Sequence, residues 1–388
     1  MSAVELFDFD TPIDRSNTAS EKWERYAGRD IIPLWVADMD FRSPTAVIDA
    51  LHQRVEQGVF GYTAPPQELV AVVQEMLQRE YGWSVQSEEL VWLPGLVCGL
   101  NVACRAVGQP GDGVATFTPV YPPFLTAPKL AGRELVGVPL VCNGEVWQMD
   151  LTALERAITP RTKLLLFCSP HNPVGRVWSR EEQLALLELA ERHDLTVCSD
   201  EIHAGLVLDK DRLHIPFAAL SAEAARRTIT LHAPSKTYNI PGLGCSFAVI
   251  PDQGLRRSFR HVMAGIVPHV NLLGYTATLA AYQEGEAWRQ ALLEYLRGNR
   301  DLVERAIAGI PGLKTWPVQA TYLTWIDARV LGVEDPAGFF EKAGVGLSDG
   351  APFGAPGFVR LNFGCRRSLL QKALERMQQA VTLKGSGN

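Results

Sequence analysis

The chain has 388 residues, 47% apolar and 21% charged, with a formal net charge of −6 at neutral pH. That balance is the one expected of a soluble globular protein, and at this length it leaves room for two domains or for one large domain with a smaller attachment. An acidic chain without a basic run excludes nucleic acid as an expected partner.

The N-terminal stretch "MSAVELFDFDTPIDR" lacks a basic start followed by an apolar segment, so no signal peptide is expected. No apolar run approaches the ~18 residues of a membrane span, so no membrane partner is expected. Residues 1–44 are polar, with Pro and Asp scattered through them. Seven apolar runs then follow as candidate strands: 90–93, 113–117, 134–140, 163–167, 195–200, 228–233 and 245–250. Most are continuous rather than alternating, the pattern of strands buried on both faces. Helix-like stretches separate several of them. "GLVCGLNVACRAV" (95–107) has helical apolar spacing, and "SREEQLALLELAERHD" (179–194) opens with Ser179 and Glu182 in a capping-box arrangement. This alternation predicts an α/β fold, a mostly parallel seven-stranded sheet with helices on both faces.

After about residue 285 the pattern changes to long helical stretches and then short strand-like pieces, "TYLTWID" and "FVRLNF". The expected organisation is a large domain over 45–285 and a smaller α+β domain made of 1–44 with 286–388. The Gly-rich end "KGSGN" is expected to fray. The seven cysteines, at 98, 104, 142, 168, 198, 245 and 365, are odd in number and contain no C-x-x-C. They fit reduced core residues of a cytoplasmic protein, and their spacing is too loose for a metal site.

In open α/β sheets ligands sit at the carboxyl ends of the strands. Leu96 and Val97 open a helix after the first run, and Tyr121 follows the second. Asn172 lies in "CSPHNPVGRVW", and Asp200 and His203 follow the fifth. Ser235 and Lys236 follow the sixth, and no other charge falls between His232 and Gly244. Taken singly these residues have ordinary explanations. Asp200 suits a helix N-cap, Asn172 sits in an Asn-Pro turn, Tyr121 suits packing, His203 suits a structural histidine, and a strand-end lysine snorkels to water. Together they fit pyridoxal phosphate. Lys236 would condense with its aldehyde, and Asp200 would keep the ring nitrogen protonated. Asn172 would donate near the ring hydroxyl, and Tyr121 would stack on the ring. The helix N-terminus at Leu96 and Val97, with Ser235, would hold the phosphate.

"SPHNPVG", "SDEIHAGLV" and "APSKTYNIPGLG" resemble the fold-type I pyridoxal-phosphate enzymes of the class I/II aminotransferase superfamily, a likeness that covers nearly the whole chain. "PLWVADMDF", "FGYT" and His203, where common aminotransferases usually carry Tyr, narrow it to the MalY/PatB group of carbon–sulfur β-lyases. The resemblance implies a homodimer with a shared active site, in which Tyr62 reaches the cofactor phosphate of the neighbouring subunit. Arg360 would clamp the α-carboxylate of an amino-acid substrate, a planar bidentate task. The loop around Ala37 and Asp38 would line the substrate pocket. Two departures stand out. Ala233 takes a position where many relatives have Ser, and "TYNIPGLGCSF" lacks the arginine that many aminotransferases place on the phosphate. The implied reaction is α,β-elimination of L-cystathionine or a related cysteine S-conjugate to pyruvate, ammonia and a thiol. The alternatives are an aminotransferase on the same fold and a regulatory binding protein, which would have no need of Lys236.

Overall fold

The computed structural model describes residues 7–386. All seven predicted strands form: β1 (Leu90–Leu93), β2 (Gly113–Thr118), β3 (Glu134–Pro139), β4 (Thr162–Cys168), β5 (Thr196–Asp200), β6 (Thr228–His232) and β7 (Ser246–Val249). They make one sheet in the order β1-β7-β6-β5-β4-β2-β3. Only β7 is antiparallel to its neighbours; the other pairings are parallel.

The continuous apolar runs are explained by burial on both faces. Along β4, Leu164 and Leu166 pack into one apolar cluster with helix Leu96–Ala106, while Leu165 and Phe167 pack into another with helix Arg180–Arg192. β3 lies at the sheet edge and is the exception, with most of its residues exposed or partly so. The capping box forms as the spacing predicts: Ser179 Oγ accepts from the Glu182 N–H at 3.2 Å, and the Ser179 N–H donates to Glu182 Oε2 at 2.7 Å.

One close approach sets the height of helix Leu96–Ala106 over the sheet. A Cβ added at Gly99 would stand 2.9 Å from Leu231 Cδ2, so a larger residue there would force the buried Leu231 side chain to shift. The helix N-terminus is thereby held at the carboxyl edge of the sheet.

Past helix Glu286–Ala308 the chain forms β8 (Lys314–Thr315), β9 (Leu323–Asp327), β10 (Ser348–Asp349) and β11 (Phe358–Asn362). These pair antiparallel in the order β8-β9-β11-β10. Ile32–Pro33 pairs parallel with Val345–Gly346 in a separate two-stranded sheet, which ties the N-terminal segment to the C-terminal part of the chain. The expected fraying at "KGSGN" is corrected for part of the stretch. Helix Arg367–Ser386 runs through residues 384–386, because adding residues to a helix already several turns long costs little. Residues 387 and 388 lie outside the described residues. No described helix is long and apolar enough to cross a membrane.

Candidate active site

β1, β2, β4, β5 and β6 run the same way, so their carboxyl ends share one edge of the sheet. A cavity of about 240 Å³ opens there. It gathers Leu96, Val97, Tyr121, Asn172, Asp200, His203, Ser235 and Lys236 from the strand ends, with Ala37 and Arg360 from the two ends of the chain. Two sequence candidates lie elsewhere. Asp38 is not in the wall: its carboxylate turns to Arg15 at 2.7 Å. The Tyr62 ring is fully exposed, on an open groove formed by residues 60–65 and 268–273. That groove is larger, about 960 Å³, but holds no lysine, arginine or carboxylate.

Lys236 Nζ donates to the Ala37 carbonyl at 2.6 Å. No carboxylate pairs with it among the described residues. Desolvation, reinforced by the Arg360 cation, lowers its pKa from 10.5 to about 8. Asp200 is buried, accepts the Ile202 N–H at 3.1 Å and has its pKa raised to about 7, chiefly by burial. His203 is buried too, and burial with the nearby Lys236 and Arg360 cations depresses its pKa to about 3, so the ring is neutral. Its Nδ1 has no partner among the described residues.

Arg360 is buried in the centre of β11. Its Nη1 donates to Asn172 Oδ1 at 3.1 Å and its Nη2 to the Trp35 carbonyl at 3.0 Å, while Nε has no partner among the described residues. It is a guanidinium held only by neutral acceptors, with a donor to spare. The N-terminus of helix Leu96–Ala106 is equally unspent: no side chain caps it and its first turn holds no acidic residue.

Strand-end reasoning missed the far wall. Gly244, Cys245 and Ser246 line the cavity from the amino end of β7. They replace the missing arginine with no charge at all. The signal was a strand running against its neighbours, which composition does not reveal.

A parallel sheet with one reversed strand, a lysine beyond β6 and an aspartate at the end of β5 define a transferase-type α/β architecture. The family described as aminotransferase class I and II matches residues 29–377, and the chain belongs to it. Within that family it is similar to the cystathionine beta-lyase PatB of Bacillus subtilis, 38% identical over 391 residues that cover 97% of this chain and 100% of PatB. Among solved structures it is similar to the crystal structure of OvoB, with a TM-score of 0.95 and 51% identity, covering 97% of this chain and 99% of that one. It is also similar to cystalysin from Treponema denticola, whose structure contains pyridoxal 5'-phosphate, with a TM-score of 0.93, 33% identity, and coverage of 97% and 99%.

Proposed function

We propose that the chain is a pyridoxal-phosphate-dependent carbon–sulfur β-lyase acting on L-cystathionine or related cysteine S-conjugates. The observation that carries this reading is the charge arrangement of the cavity: a depressed lysine amine, an unpaired guanidinium and a buried carboxyl converge on one space.

The residues fit the cofactor. An uncapped helix N-terminus suits a phosphate dianion, and the Ser235 hydroxyl and neutral lining at Gly244 and Ser246 add no competing charge. The Asp200 carboxyl, costly as an isolated buried anion, gains a cationic partner if it meets a protonated ring nitrogen. Asn172 stands beside Arg360 with its amide nitrogen free to donate, and Tyr121 offers a ring face. Bound there, pyridoxal phosphate supplies an aldehyde for an amine and a ring that withdraws electrons from a substrate's Cα.

Arg360 receives the substrate α-carboxylate, using the Nε donor that no described residue satisfies. The Lys236 amine, about half of it neutral at pH 8, removes the Cα proton. The Cβ–S bond breaks with its electron pair leaving on sulfur, and a thiol with a pKa near ~8.5 is a good leaving group. Lys236 returns the proton to that sulfur. The remaining three-carbon fragment takes up water and leaves as pyruvate and ammonia.

The active unit we propose is a homodimer. Tyr62 projects fully exposed beside the apolar Val59 and Phe60, a cluster that a second copy would cover while Tyr62 enters that copy's cavity. Seven unbridged cysteines fit a cytoplasmic, reducing compartment.

The test supplies purified protein with L-cystathionine and no keto acid, and follows pyruvate and free thiol. Both products are expected in equal amounts. Turnover that needs an added keto acid would replace the lyase with an aminotransferase, and no turnover with either would leave neither reading standing. For the dimer, mixing inactive Lys236→Ala and Tyr62→Ala proteins should recover activity, because the hybrid holds one intact site.

A further inference from the structure

The segment 35–39 forms no sheet, yet each of its five carbonyls accepts a side-chain donor. Arg360 Nη2 reaches Trp35 O at 3.0 Å. The Asn362 amide spans Val36 O at 2.6 Å and Asp38 O at 2.8 Å. Asn239 donates to Met39 O at 2.9 Å. The middle carbonyl, Ala37 O, takes two donors: Lys236 Nζ at 2.6 Å and the Tyr322 hydroxyl at 2.9 Å. Every bond except that of Lys236 comes from a group with no part in proton transfer.

A carbonyl oxygen has two lone pairs. Tyr322 occupies one of them, which leaves a single direction from which the lysine amine can bond. Tyr322 is buried, and its hydroxyl has no other partner among the described residues. Burial pushes its pKa up, so it stays a neutral donor. Its backbone is aimed by an unusual residue. Thr321 holds φ at +77°, the left-handed region that β-branched residues rarely enter, and is fixed there by its N–H donating to Leu206 O at 2.9 Å. The Tyr322 ring also packs edge-on to His203, 6.3 Å between centroids.

We propose that Tyr322 is a positioning residue: its hydroxyl fixes the Ala37 carbonyl as the acceptor that holds the free amine of Lys236 in place for reaction. The proposal rests on the reading of Lys236 as the reacting amine. It predicts a defect in the use of that amine rather than in binding.

The experiment mixes cofactor-free protein with pyridoxal phosphate and times the yellow absorption that marks condensation with Lys236. It then measures kcat and KM for L-cystathionine in the loaded protein. In Tyr322→Phe, condensation at saturating cofactor should slow by about tenfold and kcat should fall by a similar factor, as expected of a misplaced reactive group. KM should stay within about twofold, because uniform binding is untouched. Wild-type rates in Tyr322→Phe would overturn the proposal, and so would a rise in KM alone, which would make Tyr322 a substrate contact. Tyr322→Met, which likewise lacks the donor, serves if the first variant fails to fold. Collapse of both would make the hydroxyl structural and overturn the proposal too. A Lys236→Ala protein that still yellows at the wild-type rate would sink the reading of Lys236 itself, separately from Tyr322.

Discussion

Lys22 and Lys236 reach the same loop and bond to adjacent carbonyls, Asp38 O at 3.2 Å and Ala37 O at 2.6 Å. Their surroundings differ in one respect. Lys22, buried, pairs with Asp40 at 2.7 Å, and Asp40 also binds Arg15 and the Trp23 indole. Burial works against the Asp40 charge, but Lys22, Trp23 and Arg15 together outweigh it and hold the carboxyl below its usual range. Lys236 has an arginine for a neighbour and no carboxylate in pairing distance among the described residues. A lysine given a counter-ion is a clasp, and one denied it becomes a base near neutral pH.

The largest expected effect separates the two. Lys236→Ala should lower the rate of pyruvate formation by about 10³-fold or more, the scale of a lost proton-transfer group. Its melting temperature should not fall, since the residue removed is an unpaired amine. Lys22→Met should do the reverse. Asp40 keeps Arg15 and the Trp23 indole but loses its buried cation, a charged hydrogen bond whose loss costs about 2 kcal/mol, read as a shift in the urea midpoint, while the yellow absorption persists. If both substitutions cost stability alone, the contrast between them is false.

Arg360→Lys comes next. It keeps the charge but loses the fork, so kcat/KM should drop by roughly 30-fold, about 2 kcal/mol, mostly through KM. The smallest effect is on pH. Condensation of Lys236 with the cofactor requires the neutral amine, so its rate should fall as pH drops through about 8. In Arg360→Met the cation that disfavours the ammonium form is gone, and the midpoint should move upward. A stopped-flow series over pH with both proteins checks the sign.

The parts of the molecule legible in the sequence are those governed by short-range pattern. β4, β5 and β6 are short continuous apolar runs because both of their faces are covered, and the residues just past them could be placed together because parallel strands end on one edge. What escaped depended on direction and on chain distance. Ser246 and Cys245 reach the same cavity from the start of β7, and nothing in "CSFAVI" tells that this strand is reversed. Asp38 was expected beside Ala37 in the wall, but successive side chains leave the backbone in different directions, and Arg15 claims the Asp38 carboxylate. Tyr322 sits in the unremarkable stretch "TYLTWID", and its importance depends on the backbone twist at Thr321, which no propensity predicts for a β-branched residue.

The carbonyls of 35–39 are captured by side chains as far along the chain as Arg360 and Asn362, a separation of 325 residues for the bond to Trp35 and 326 for that to Val36. During synthesis, therefore, the earliest-made wall of this pocket waits for the last-made strand among the described residues. A ribosome that has already delivered Asp200 and Lys236 has not yet delivered a working enzyme, and a polypeptide released before β11 emerges carries a reactive amine whose acceptor loop lacks its Arg360 and Asn362 anchors.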